Sequence, residues 1–427
     1  MNKKKIFLIA VVSLIIIAFL FTYILSNRNI PDNNIKNNPQ KNYDIVETSE
    51  SDPEIIKEIF ADGMNTEDYK KILDQKENYV KSNGKYIPVE YNFERKYHYS
   101  ELEEIYNMFN NSDIVQLEII GKSRDNRNIY GIEVGKGNKV LYLDANMHAA
   151  EIANTLILTK FLSEIINEYE NGNEEIINIL NQIKIAVVPT MNPDGYDIYN
   201  YGPEAINNKN LWVYQNKNKV DFENIKSNAD GVDLNRNFPA QSSGLYHVDK
   251  KLISSVSYER TTKRLTYFGG ESVGSEPETQ ASMYFMLKHY KNTYAYINMH
   301  SQGRIMYVEK PNLSNEFNDI SMNFAKKIKN ITGYGIYGGK YEEIGEGNDG
   351  TAGDFMAELA NGFTFSSKTG RLSTDKYKDN NCKLEYAYPV IVLETIRTYT
   401  TDPSYFKTEY YDKGLREMLY QILEEYN

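Results

Sequence analysis

Apolar and polar positions fall into three regimes along the chain. From Ile6 to Leu25 apolar residues run for twenty positions without a charge. At about 1.5 Å per residue that run can cross the ~30 Å hydrocarbon core of a bilayer as a helix. Ser26 to Pro53 inverts the pattern, with Asn, Asp, Lys and Pro in place of apolar residues. Such a stretch cannot bury enough surface to fold and reads as a tether. Further on, short β-branched and aromatic runs at Ile114–Ile120, Asn128–Val134, Lys139–Ala145 and Ile183–Pro189 predict strands. Helical spacing at Ile152–Tyr169, Glu174–Gln182, Thr351–Leu359 and Glu417–Tyr426 predicts helices. Ser275-Glu276-Pro277-Glu278 predicts a helix start with a capping box and an early proline. That helix leads into a strand ending at His300, and Pro389–Glu394 forms another. Strands alternating with helices predict an α/β fold, an open mixed sheet covered on both faces.

These regimes divide the chain into residues 1–26, a membrane anchor, 27–95, a linker with a short helical pre-region (Ile55, Ile56, Ile59, Phe60), and 96–427, one large α/β domain. Lys3, Lys4 and Lys5 precede the apolar run and favour a cytoplasmic N-terminus, which places the remainder outside the membrane. The competing reading is a cleaved signal peptide and a secreted domain. A signal peptide has a shorter apolar core and a small-residue cleavage site, whereas this run ends in Tyr23-Ile-Leu-Ser-Asn-Arg28.

Charge and cysteine narrow the function classes. The formal net charge is −11, and the first thirty residues hold four of the 48 basic residues and none of the 59 acidic ones. The exported part is therefore strongly acidic, which argues against binding nucleic acid or other anionic polymers. The single cysteine, Cys382, cannot form an intrachain disulfide and reads as a small buried residue.

The chemistry begins at His148-Ala149-Ala150-Glu151, directly after the strand Lys139–Ala145. A His and a Glu three apart at a helical turn point to one side and can grip one metal ion. The chain has only five histidines, so its second candidate, His300 in Asn298-Met-His300-Ser-Gln-Gly303, stands out. Taken alone, His300 reads more readily as a histidine capping a buried strand through hydrogen bonds than as a ligand. Three further segments complete the pattern: Asn192-Pro193-Asp194-Gly195, Asp233-Leu-Asn235-Arg236-Asn237, and Val390-Ile-Val-Leu-Glu394. From about Tyr97 onward these five segments, in this order, resemble the zinc carboxypeptidase family.

The resemblance implies an eight-stranded, mixed, twisted sheet with helices on both faces and the metal at the carboxyl ends of central strands. It implies one zinc per chain, held by His148, Glu151 and His300 with a fourth position open. Glu394 becomes the general base; its alternative is a solvated or Arg397-paired carboxylate. Asn235 and Arg236 correspond to the pair that holds a substrate's terminal carboxylate, Arg through two parallel hydrogen bonds. Arg236 otherwise ties loops to Asp233. No arginine lies between Arg127 and Arg236 to polarise the scissile carbonyl, and Lys226 in Ile225-Lys-Ser-Asn228 is the substitute. Ala150 stands where the family often has an arginine. Gly353 falls at the specificity position and Tyr341 at the mobile tyrosine. The His-Ser-Gln-Gly segment is similar to bacterial members that cut γ-D-glutamyl–diaminopimelate bonds in wall peptides.

The expectation is thus a membrane-anchored, extracytoplasmic zinc metallocarboxypeptidase acting near the free C-terminus of peptidoglycan stem peptides. Its rivals are a general peptide carboxypeptidase and a wall-peptide-binding pseudoenzyme.

Overall fold

The computed structural model describes residues 75–240, 263–271, 274–308, 310, 313–337, 350–363, 365–366, 371–372 and 383–425. The apolar run at 6–25, Cys382 and Tyr341 lie outside these residues. No helix among the described residues is long and apolar enough to cross a membrane.

Eight strands form one sheet. In chain order they are β1 (Val115–Lys122), β2 (Asn128–Val134), β3 (Lys139–Ala145), β4 (Ile183–Val188), β5 (Thr293–Ser301), β6 (Ile305–Tyr307), β7 (Gly335–Tyr337) and, after a two-residue pair β8 and β9 (Phe365–Ser366, Arg371–Leu372), β10 (Val390–Thr395). The spatial order is β1-β2-β4-β3-β5-β10-β6-β7. The central β4, β3, β5 and β10 are parallel, and β1, β2 and β6 pair antiparallel to their inner neighbours. Every residue of β5 is buried, as a strand covered on both faces requires.

Helices α1 (Tyr99–Phe109), α2 (Ile152–Glu170), α3 (Glu174–Gln182), α4 (Pro193–Tyr201), α5 (Pro277–His289), α6 (Asn315–Thr332), α7 (Ala352–Ala360) and α8 (Leu415–Glu424) complete the layers. Successive strand residues point to opposite faces. Leu141, Leu143, Ile297 and Leu393 therefore pack with Tyr106, Ile157, Phe161 and Leu419 in one core. Tyr142, Tyr296 and Val390 pack with Phe285, Phe355 and Met356 in the other.

Two local readings change. Asn192-Pro193-Asp194-Gly195, read as a strand-to-turn segment, opens α4: the Asn192 side chain accepts from Gly195 N–H and Pro193 fits the first turn. The expected Ser275–Glu278 capping box does not form. Glu276 is the cap residue of α5, and Glu278 instead accepts from Arg124 N–H at 2.9 Å.

Part of the stretch expected as linker and pre-region packs with the α/β domain. Val80 N–H donates to Leu117 and Ile119 N–H to Asn78, so residues 78–80 lie along β1. Tyr86, Val89, Tyr91 and Phe93 are buried in the same core as α1 and α2. Residues 75–95 contain no helix and are part of the domain.

Candidate metal centre and its cleft

The parallel order brings the carboxyl ends of β3, β5 and β10 side by side, the usual place for chemistry on such sheets. Past β3 the chain turns through Asn146, whose φ of 54° is the left-handed conformation asparagine tolerates. The Asn146 amide donates to His148 C=O at 3.0 Å, and Asn192 donates to Met147 C=O at 3.2 Å. Ala150 N–H donates to Ile225 C=O at 2.9 Å, so the Lys226 loop is seated on the His148 turn. Ala149 and Ala150 are buried against Ile225 and Ile198. The small residue at 150 is thus a packing contact that seats this loop. Glu151 caps α2, and one turn on, Asn154 donates to His300 C=O at 2.8 Å and accepts from Thr395 Oγ1 at 2.7 Å. One helix thereby fixes the ends of β5 and β10.

His148, Glu151 and His300 converge, with ligand atoms all within 4.8 Å of one another and all three residues buried. His148 Nδ1 is 2.7 Å from Glu151 Oε1, and His300 Nδ1 is 2.8 Å from Glu151 Oε2. The opposite ring nitrogens also face oxygens, His300 Nε2 in a hydrogen bond and His148 Nε2 beside a carboxylate but outside hydrogen-bond geometry. His148 Nε2 lies 3.2 Å from Asp233 Oδ1, and His300 Nε2 lies 2.6 Å from Asn298 Oδ1.

The Asn298 contacts decide the tautomer of His300. Asn298 Nδ2 donates to Asp144 Oδ1 at 2.5 Å, and Asp144 also accepts from Tyr296 O–H at 2.7 Å. Asn298 therefore turns its carbonyl oxygen to His300, which must donate from Nε2. Asn235 Nδ2, at 3.5 Å from the same nitrogen, is too far to reverse this. With Nε2 protonated, Nδ1 presents a lone pair to the Glu151 carboxylate at 2.8 Å. Two acceptors at that distance need a positive charge between them. A proton would make His300 an imidazolium, which burial disfavours: it holds the pKa below the ordinary value despite Glu151. The donor set thus fits a divalent metal; Asn298 orients the His300 ring as the outer partner of a metal-bound histidine does, and Asp233 places a carboxylate beside His148.

Glu394 pairs in register with His300 across β10 and β5. It is partly exposed, yet its Oε2 is buried without a hydrogen-bond partner. Burial first, then the Glu151 charge, push its pKa up to about 8 against the opposing pull of Lys226 and His148. Arg397 is exposed, and Glu394 forms no ion pair among the described residues. Lys226 is half-buried, and its charge reaches His148, Asp233, His300 and Glu394. Asn235 accepts from Ala352 N–H at 3.0 Å. Arg236 Nη1 donates to Asn235 C=O at 2.7 Å, with its guanidinium 5.6 Å from the Tyr267 ring centre. A Cβ at Gly350 (φ 81°) would sit 2.6 Å from Arg236 C=O, so glycine there lets the two loops touch. Gly353 lies at the start of α7 against Val392.

A description of zinc carboxypeptidases fits residues 101–392. The chain belongs to the zinc carboxypeptidase family. It is 25% identical over 277 residues to Carboxypeptidase O of Bos taurus, covering 62% of this chain and 66% of that protein. It is 29% identical over 222 residues to Gamma-D-glutamyl-L-diamino acid endopeptidase 1 of Lysinibacillus sphaericus, covering 50% of this chain and 52% of that protein. These matches span between about half and two thirds of the relatives' length. Carboxypeptidase A from Helicoverpa armigera shares the fold, with a TM-score of 0.54 over 84% of this chain and 80% of that one at 14% identity. Zinc is accordingly the metal that suits the two nitrogens and one carboxylate found here.

Asp144, Asn154 and Asn298 were not singled out by sequence, and Asp233 was considered only as a partner for Arg236. Strand register exposes Asp144 and Asn298, which pair with each other, whereas Asn154 and Asp233 reach the site from a helix and a turn. The one available signal was two polar residues, Asp144 and Asn298, inside otherwise apolar strands.

Proposed function

We propose that the protein is a zinc-dependent carboxypeptidase acting on peptidoglycan stem peptides. The observation that carries the hydrolase reading is the convergence of His148, Glu151 and His300 beside an unpartnered Glu394 carboxylate oxygen. Bound zinc supplies Lewis acidity at this point. Glu394, with a pKa pushed up to about 8, suits a group that takes a proton from attacking water and returns it to the leaving amine. Lys226 directs positive charge into the cleft, where negative charge develops on the scissile carbonyl oxygen. Asn235 and Arg236, next to His300 and α7, suit a free terminal carboxylate.

The wall-peptide assignment draws on the His300-Ser-Gln-Gly303 segment and on the likeness to the Lysinibacillus endopeptidase. An anchor at residues 6–25 would hold the domain outside the membrane, where that substrate lies. The test uses γ-D-glutamyl–diamino acid stem peptides and ordinary dipeptides, each as free acid and as C-terminal amide. Hydrogen bonds to charged groups contribute about 1.5–3 kcal/mol, so amidation should lower kcat/KM roughly 10- to 100-fold. Arg236→Met should impose a similar loss on the acid and almost none on the amide. Equal hydrolysis of acid and amide would mean an endopeptidase, and faster turnover of ordinary dipeptides would remove the wall-peptide assignment.

A further inference from the structure

We infer that Tyr267 is a positioning residue that holds the Arg236 guanidinium ready for a substrate's terminal carboxylate. This rests on the carboxypeptidase reading and deepens it at that same site. The Tyr267 backbone has a φ of 65°, a left-handed conformation that is rare for a bulky residue. The residue is 42% exposed, whereas Phe268 beside it is buried. An exposed ring adds little to the core, so the strained backbone under it points to a role at the surface. That role is visible at Arg236, whose guanidinium lies over the Tyr267 ring at 5.6 Å from its centre.

Neighbouring contacts fix the strained conformation from two sides. Tyr267 N–H donates to Asp233 Oδ2 at 3.1 Å, and Asp233 N–H donates to Phe268 C=O at 2.7 Å. Asn237 Nδ2 donates to Gly269 C=O at 2.7 Å, and a Cβ at Gly269 would sit 2.7 Å from Arg236 C=O. On the other side, Lys226 N–H and Ser227 N–H donate to Leu265 C=O at 2.8 and 2.9 Å. Residues 265–269 are thus laced both to the Lys226 loop and to the turn that carries Asn235 and Arg236. Tyr267 is also within electrostatic reach of Tyr399, whose hydroxyl donates to Ser301 C=O at 3.2 Å. Burial first, then Glu151, Glu394 and Tyr267, raise the pKa of that hydroxyl. The ring therefore stands at the mouth of the reaction cleft.

A ring suits this position better than an acid would. A carboxylate beside Arg236 would take the fork through two parallel hydrogen bonds and compete with the substrate. The face of a tyrosine attracts the cation through its quadrupole and offers no pair of oxygens. An arginine side chain has many rotamers, and restraining it before the substrate arrives lowers the entropy cost of binding. The Nη1 contact with Asn235 C=O at 2.7 Å and the Tyr267 ring together supply that restraint. Tyr267 thus acts through Arg236, on the grip of the terminal carboxylate and not on bond cleavage.

The test uses one blocked dipeptide as free acid and as C-terminal amide. Binding is measured by calorimetry to the zinc-loaded Glu394→Gln protein, and turnover with the zinc-loaded enzyme that keeps Glu394. Tyr267→Ala and Tyr267→Gly should each weaken binding of the acid about 3- to 30-fold and of the amide less than about twofold. In turnover of the acid the loss should fall on KM, with kcat unchanged. Tyr267→Phe keeps the ring and should stay within about twofold of the native acid-to-amide ratio. Urea unfolding separates the ring from the backbone. Glycine accepts a φ of 65° without strain, so Tyr267→Gly should be more stable than Tyr267→Ala while binding equally. A native acid-to-amide ratio in both ringless variants, equal losses for acid and amide, or a Tyr267→Phe protein that behaves like Tyr267→Ala overturns the inference and leaves the carboxypeptidase reading standing. A native protein that does not distinguish acid from amide removes both.

Discussion

Glu394→Gln should make the metal-free protein more stable while removing its turnover. In the folded protein, burial and the Glu151 charge raise the Glu394 pKa from its ordinary 4.5 to about 8. The folded value lies above the unfolded one, so folding favours the protonated acid. The cost of the charge is absent below about pH 4.5, grows between the two pKa values, and is complete above pH 8. One pKa unit is about 1.36 kcal/mol, so the full shift corresponds to roughly 4–5 kcal/mol. Water at the cleft mouth and relaxation reduce this to about 2–3 kcal/mol. Glutamine has nearly the same shape and no charge. Chelator-treated Glu394→Gln should therefore exceed the chelator-treated native protein by about 2–3 kcal/mol in urea unfolding at pH 8.5. The gap should close as the pH falls toward 5. Zinc loading should narrow it, because a nearby dication stabilises the carboxylate. The zinc-loaded variant should keep its metal and lose ~10²–10⁴ in kcat. Equal stability at pH 8.5 would show that Glu394 is solvated, and an undiminished kcat would show that it is not the base.

Two further outcomes test the metal centre. His148→Ala and His300→Ala should each lose most bound zinc by elemental analysis, since two ligands cannot complete the site; full occupancy in either would remove that ligand. Asn298→Ala should weaken zinc affinity about 10- to 100-fold in a competition titration, because His300 loses the acceptor that fixes its tautomer. The same variant strands Asp144 Oδ1 and should destabilise the fold by about 1–3 kcal/mol; unchanged affinity would show that Asn298 does not orient the ring.

The central sheet was legible because its strands carry continuous apolar runs. β2 and β3 fall where β-branched and aromatic runs predict them, and α2 and α3 where the 3.6-residue period does. α4 was missed because Asn-Pro-Asp-Gly is a turn signal that here serves as a helix cap. β6 and β7 are three residues each, too short for any period to register. Of the site, the residues recognisable by type and order (His148, Glu151, His300, Glu394) meet in space. The residues that orient them do not announce themselves. Asp144 and Asn298 are ordinary polar residues until parallel pairing sets them side by side. Residues 75–95 fall in the stretch read as a linker with a short helical pre-region, a reading that rests on Ile55, Ile56, Ile59 and Phe60, whereas the buried Tyr86, Val89, Tyr91 and Phe93 follow no helix or strand period.

His148 follows the end of β3 and His300 lies near the end of β5, so the two meet only when these strands pair, and Glu151 and His300 stand 149 residues apart. Closing so long a loop before any contact rewards it is slow, which places this pairing late in folding. A chain still in transit toward its native state would hold the His148–Glu151 half-site alone, with weak grip on a metal. High-affinity zinc capture is therefore a timestamp for sheet closure. Once captured, the ion acts only on the closed form and adds about 2.7 kcal/mol when free metal stands at a hundredfold over Kd. A domain that matures in a zinc-poor surrounding would forgo that increment, and its unfolded fraction would be larger by the corresponding factor.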